Sequence, residues 1–269
     1  MLDFAMLDER YDQPPYDGER PQLLVVCATP RTGSHSVGHA LYELGLGVQA
    51  EYFHPNSFDL LGTRWGLDGD RRSPAWLDAY WREVVRRRTR NGIVAVSVFG
   101  FQLGFLKRVI RPNEQPIFLH LYRRSAADQI ASLLALYQTK MPYENRLAMP
   151  NIPGISEISP RAIRILHQWL AQQNRKWRGF LADKPHLATS SEDFFRDPAE
   201  VLRAIVARSG IALSPDLIAA AAQGVRGAGA HSTNAAFKRQ LMEEHAESFA
   251  ALAQDVDSAA ASGAASPAG

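Results

Sequence analysis

The sequence has a single cysteine among 269 residues, Cys27. No disulfide can therefore form within the chain, and a reducing compartment fits best. Cys27 lies inside the apolar run LLVVCA, where a thiol reads as a small buried hydrophobe. No stretch approaches the ~20 consecutive apolar residues of a membrane-spanning helix. The first twenty residues, MLDFAMLDERYDQPPYDGER, lack the basic start and apolar middle of a secretion signal. The expected location is the cytoplasm, with no membrane span. There is no excess of one sign of charge either: 30 Lys and Arg against 28 Asp and Glu leave a net +2, which argues against a nucleic-acid partner. Basic residues cluster only locally, at Arg86 to Arg90 and at Arg123 and Arg124.

What is present is an ordinary globular composition, 46% apolar and 22% charged, enough to build a full core. No repeat and no long linker divides it. Residues 1–20 read as a proline-broken leader that packs on the surface or is disordered, 21–257 as a single α/β domain, and 258–269, with SAAASGAASPAG, as a flexible tail. Three continuous apolar, β-branched runs stand out: LLVVCA from Leu23, IVAVSVF from Ile93 and PIFLHLY from Pro116. Runs of this kind suit strands covered on both faces. Helical spacing lies between and after them, at Val37 to Leu46, Ala75 to Arg90, Pro160 to Leu181 and Asp197 to Arg208, and Ala188 to Phe195 admits a short strand before the last. The expected fold class is α/β, a P-loop-like parallel sheet flanked by helices with a largely helical C-terminal part. Ligands of such sheets bind beyond the carboxyl ends of the strands.

The first strand leads into TPRTGSHS, Thr29 to Ser36. Pro30 and Gly33 permit a tight turn whose backbone N–H groups point at one anion, and Ser34 or Ser36 can cap the helix that follows. A nucleotide-hydrolysing loop would need a glycine at Ala28 and a lysine at Ser34. Here Arg31 supplies the positive charge, with a planar fork suited to two oxygens. A second candidate follows the third strand, in YRRSAADQIASLLALYQ. Ser125 and Asp128 can form a helix-capping pair there, or a strand-end arginine together with Ser132, eight residues after Arg124, can grip a second phosphate.

A strand, a PRTGS loop, and later an arginine with a serine eight or nine residues downstream resemble the two donor-binding elements of sulfotransferases that use 3′-phosphoadenosine 5′-phosphosulfate. More narrowly, Thr29 to Pro55, TPRTGSHSVGHALYELGLGVQAEYFHP, with HLYRRSAADQIASLLALYQT, is similar to the bacterial trehalose 2-sulfotransferase family, and SSEDFFRDPAEVLRAI from Ser190 resembles a segment recurring across sulfotransferases. By that resemblance Arg31, Thr32, Gly33, Ser34, His35 and Ser36 surround the 5′-phosphosulfate, Arg123 or Arg124 with Ser132 holds the 3′-phosphate, and Glu51 stands in the place of the catalytic base. The chain departs from the pattern at His35, usually threonine, at Asp128, where the narrower family carries serine, and at Ser97, which replaces a lysine. A homodimer is implied by the resemblance alone.

The resemblance implies in-line sulfuryl transfer to a hydroxyl acceptor, a small molecule such as a carbohydrate or glycolipid precursor, leaving 3′-phosphoadenosine 5′-phosphate. Positioning and electrostatic stabilisation would dominate, without a metal. His54, three residues after Glu51, is the rival base, and His35 can polarise the sulfuryl group. His120, in an apolar strand, reads as a satisfied core histidine. Trp65, Trp76, Tyr80 and Trp81 could offer faces to a sugar, although helical spacing favours a core role, and Lys140 to Pro160 could form a lid or a dimer contact. Two other functions remain open: a P-loop-type phosphotransferase using ATP and Mg, and a non-catalytic nucleotide-binding protein of the same fold.

Overall fold

The computed structural model describes residues 4–18, 20–71, 73–138, 158–225 and 232–252. Contacts divide the chain into two compact units, Met1–Tyr122 with Gln173–Ala228, and Arg123–Gln172 with Gly229–Gly269. The protein is α/β. Four parallel strands, β1 (Gln22–Ala28), β2 (Ile93–Phe99), β3 (Ile117–Tyr122) and β4 (His186–Ser190), form one sheet in the order β2-β1-β3-β4. The apolar run Ile93 to Phe99 is a strand over its whole length. The Leu23 and Pro116 runs are strands shifted by one residue at their starts, because Gln22 pairs with Ile93 and Pro116 has no N–H to donate.

Alternation along β1 sends its side chains to two cores, as period-two geometry requires. Leu23, Val25 and Cys27 pack with α2 (Pro55–Arg64), α3 (Pro74–Arg88) and α4 (Leu103–Val109), joined by Trp177 and Leu181 of α6 (Pro160–Leu181). Leu24, Val26 and Ala28 face α1 (Ser34–Glu43), α8 (Pro198–Ser209) and α9 (Pro215–Gly224). Both faces are therefore covered, which explains the unbroken apolar runs. Cys27 is fully buried, and burial pushes its thiol pKa well up.

The first residues contribute to this unit: Met6 and Leu7 are core residues. Arg88, with no exposed surface, donates to the carbonyls of Met6 (2.9 Å) and Leu7 (3.3 Å) and pairs with Asp12 at 2.7 Å. The Arg86 to Arg90 cluster is thereby a structural device: Arg86 and Arg87 both bind Glu83. The second unit is helical among its described residues. Ile130, Leu133 and Leu134 of α5 (Ala126–Gln138) pack with Ile163, Leu166 and Leu170 of α6 and with Leu241 of α10 (Ser232–Glu244). Among the described residues no helix is long and apolar enough to cross a membrane. The expected tail, 258–269, lies outside the described residues, as does the expected lid apart from residues 158–160.

Candidate functional site

The turn after β1 is built from two left-handed residues, Arg31 with φ 68° and Gly33 with φ 85°. Among the described residues only three non-glycines take positive φ, and the other two are asparagines, Asn91 and Asn113. Asparagine tolerates that region and arginine does not, so Arg31 stores strain of about 1–2 kcal/mol. Backbone strain of this kind concentrates where geometry serves a ligand. Thr32 is buried, and its hydroxyl donates to the Thr29 carbonyl at 2.9 Å.

The expectation that Ser34 or Ser36 caps the next helix is corrected. The cap is Gly33, and no side chain caps α1. Because a left-handed glycine can begin the helix, Ser34 becomes its first residue, while Ser36 N–H is spent on the Gly33 carbonyl at 3.0 Å. The amides of Ser34 and His35, which a capping side chain would have helped to cover, have no acceptor among the described residues. They lie at the positive end of the helix dipole.

Three residues far along the chain hold this turn. Trp177 Nε1 donates to the Ala28 carbonyl at 2.7 Å, at the last residue of β1. Ser191 Oγ lies 2.6 Å from the Thr32 carbonyl and 3.1 Å from that of Tyr122. The Phe195 ring packs on Gly33 so closely that a Cβ there would sit 2.7 Å from Cζ. Ser191 and Phe195 lie on α7 (Ser191–Arg196), which Ser190 caps by accepting the Asp193 N–H at 3.0 Å. The sequence admitted a short strand within Ala188 to Phe195 and a helix around Trp177, with no part in the site for any of the three; the strand ends at Ser190 and Ser191 to Arg196 is helix.

Glu51 sits at the carboxyl end of the sheet, because Ala50 bridges to Val96 and accepts the Ser97 N–H at 2.9 Å. Its backbone carbonyl accepts from Ser57 Oγ at 2.8 Å and from His54 N at 3.0 Å. Its carboxylate lies 3.4 Å from His35 Nε2, with the Glu51 side chain 10% and the His35 side chain 38% exposed. The first turn of α1 and the Glu51 carboxylate are thus in direct contact. His54 is buried and caps α2, its Nδ1 accepting the Asn56 N–H at 3.3 Å. Burial lowers its pKa, opposed by the Glu51 charge. In the neutral ring, acceptance at Nδ1 puts the proton on Nε2, so the free nitrogen of His54 is a donor.

Three uncharged groups near the carboxyl end of β2, Ser97 Oγ, Gln102 Nε2 and Gln173 Oε1, are buried without a hydrogen-bond partner among the described residues, and only Ser97 stood out in the sequence. Gln102 spends its Oε1 on the Phe99 N–H at 2.9 Å, and Gln173 packs on Gly100. Buried polar atoms are rarely left unpaired, yet no pattern in a sequence marks a glutamine as such. His120 is also corrected. It is half-buried beside His186, its Nε2 lacks a partner among the described residues, and burial first, then the His186 and Arg178 charges, bring its pKa to about 4.

In the second unit, Arg123 and Arg124 open the segment that follows β3. Ser125 Oγ accepts the Asp128 N–H at 3.1 Å, as the capping pair predicts, and Ser132 is buried within α5. Among the aromatics, Trp76 and Tyr80 stack at 5.1 Å inside the core, whereas Trp65 and Trp81 are half-buried.

No family model matches the sequence, and no curated protein matches it significantly. Solved structures similar to the chain include mouse sulfotransferase SULT7A1 complexed with PAP, at 16% identity over 83% of this chain and 69% of that one, with a TM-score of 0.48. The sulfotransferase domain from the curacin biosynthetic pathway aligns at 15% identity over 81% and 83%, with a TM-score of 0.49. Sulfotransferase STF9 from Mycobacterium avium aligns at 13% identity over 85% and 69%, with a TM-score of 0.48.

Proposed function

We propose that the protein is a sulfotransferase that moves a sulfuryl group from 3′-phosphoadenosine 5′-phosphosulfate to a hydroxyl of a carbohydrate or glycolipid precursor. The observation that carries this reading is the contact between an uncapped, strained anion turn and a carboxylate, through His35 and Glu51. The donor set fits a phosphosulfate: free first-turn amides, an arginine fork and hydroxyls, arranged as hydrogen-bond donors for an oxyanion. The donor molecule, when bound, supplies the activated sulfuryl group.

Arg31 and the Ser34 and His35 amides bind the 5′-phosphate end and stabilise the negative charge that grows on the bridging oxygen as its bond to sulfur breaks. Thr32 contributes through its backbone, since its hydroxyl is engaged inside the turn. Glu51 takes the proton of the acceptor hydroxyl as that oxygen bonds to sulfur, and His35 orients the carboxylate. His54, a donor at Nε2, acts by positioning the turn around Glu51 rather than as the base. In this proposal Ser36 belongs with the turn around the 5′-phosphosulfate, Arg123 or Arg124 with Ser132 holds the 3′-phosphate, and the protein is a homodimer.

The test is calorimetric titration with 3′-phosphoadenosine 5′-phosphate without metal, beside ATP with and without Mg, repeated on Arg31→Ala and Arg124→Ala. Metal-free binding of the bisphosphate, weakened about tenfold or more by each change, is expected. Preference for Mg-ATP would favour a phosphotransferase. Bisphosphate binding without sulfate transfer to any hydroxyl acceptor would favour a non-catalytic nucleotide-binding protein.

A further inference from the structure

At the opposite end of the sheet from Glu51 and the anion turn, where β1 and β2 begin, the first unit has an open cavity of about 680 Å³. This is within the ~300–1,000 Å³ usual for organic ligands. Its floor is apolar, made by Pro21, Leu23 and Val94, and its wall continues with Trp81, Val85 and Val109. Around that apolar floor stand five arginines, Arg20, Arg82, Arg86, Arg108 and Arg111, against the carboxylates Asp78 and Glu114.

Two of the arginines are committed: Arg20 pairs with Glu114 at 2.9 Å, and Arg86 forks onto Glu83 at 2.8 Å. The guanidinium groups of Arg82, Arg108 and Arg111 make no hydrogen bond or ion pair among the described residues. They come from three places, α3, the last turn of α4 and the loop that follows it, and they converge on one space. Asp78 is the one carboxylate of the wall outside these pairs. An apolar floor gives nothing to a small inorganic anion, and a cationic rim gives nothing to a neutral hydrocarbon.

We propose that this cavity binds an amphiphilic organic anion, an aromatic or aliphatic body that rests on the Trp81 side and carries a sulfate, sulfonate or phosphate group held by Arg82, Arg108 and Arg111. Guanidinium forks are matched to such oxyanions, and Trp81 offers a flat apolar face. The seven residues of β1 separate this end of the sheet from the anion turn by roughly 20 Å at ~3.3 Å per residue. A ligand here therefore occupies a second site, and the proposal stands whether or not the chain transfers sulfate.

The experiment is a fluorescence titration of the full chain with 8-anilinonaphthalene-1-sulfonate, beside its uncharged relative N-phenyl-1-naphthylamine. Saturable one-to-one binding of the sulfonate is expected, with the neutral probe at least about tenfold weaker, for want of a charge-assisted contact. Arg82→Ser and Arg108→Ser should each weaken sulfonate binding about fivefold to tenfold, while Asp78→Asn tightens it about twofold. These side chains lie at the rim, and an unchanged melting temperature will confirm that each variant is folded. Excess 3′-phosphoadenosine 5′-phosphate should not compete. Equal binding by the neutral probe, unchanged binding in both arginine variants, competition by the bisphosphate, or no binding at millimolar probe would each overturn the assignment.

Discussion

Gly33→Ala tests the geometry of the anion turn directly, because two separate penalties fall on one methyl group. The added Cβ would lie 2.7 and 2.8 Å from Cζ and Cε2 of Phe195, in a backbone with φ 85°. A left-handed residue with a Cβ costs about 1–2 kcal/mol, and forcing a packed ring aside costs about 1–3 kcal/mol more. The sum, about 2–5 kcal/mol, lowers the melting temperature by roughly 4–20 °C at ~2–4 °C per kcal/mol for a chain of this size class. Scanning calorimetry measures it. The second variant, Gly33→Ala with Phe195→Leu, shortens the obstructing ring and should recover the steric share, leaving only the backbone cost of about 1–2 kcal/mol beyond that of Phe195→Leu alone. If Gly33→Ala melts within 2 °C of the parent, or if the two changes simply add, Phe195 does not press on the turn as described.

Other expectations are as concrete. Turnover in Glu51→Gln should fall by roughly 10²–10⁴, whereas His54→Asn, which can still cap α2, should keep it within severalfold; equal losses would make His54 part of the proton path. Burying the neutral ring of His120 lowers its pKa from 6.5 to about 4, so the folded state resists a proton that the unfolded chain accepts. That stabilisation is complete above pH 6.5 and lost as the pH falls towards 4, on the order of 2 kcal/mol after allowing for solvent screening; melting of His120→Gln should depend less steeply on pH across that window, and parallel curves would refute the reading. Arg88→Met leaves the Met6 carbonyl without its side-chain donor, the Leu7 carbonyl with Arg64 alone and Asp12 with only the longer contact to Arg87 at 3.8 Å. It should cost about 3–5 kcal/mol and speed hydrogen exchange across 6–12; unchanged exchange there would show that Arg88 does not anchor the first residues.

Where a segment's environment is uniform, composition alone placed it. Ile93 to Phe99 is buried on both sides and carries no polar residue but Ser97, and Pro160 to Leu181 runs from a proline at its first turn to the Leu181 end with an amphipathic face. The helix after the anion turn was misread at its start because serine capping is the commoner solution, and only the φ of Gly33 decides otherwise. Arg31 stood out as the charge of the turn and Glu51 only through the family resemblance, whereas the supports of the turn left no sign in the sequence. Trp177, Ser191 and Phe195 act through contacts that join residues some 150 positions apart, and a linear pattern records no such closeness. The cavity at the amino end of the strands was hidden for the same reason: its arginines sit on separate elements and look like ordinary solvated charge.

The long reach of those supports bears on the order in which the protein acquires its shape. Trp177 and Thr32's partner Ser191 lie 149 and 159 residues from the groups they bind. A growing chain that has emerged only through β3 already contains the whole TPRTGSHS turn, yet none of the three side chains that fix it. Contacts that close loops of this length form late and slow folding. The turn is therefore completed only after α7 docks, so on the proposed function a ribosome-bound fragment ending before Trp177 should carry the motif without affinity for the bisphosphate, and that affinity should appear once the α7 segment has left the exit tunnel.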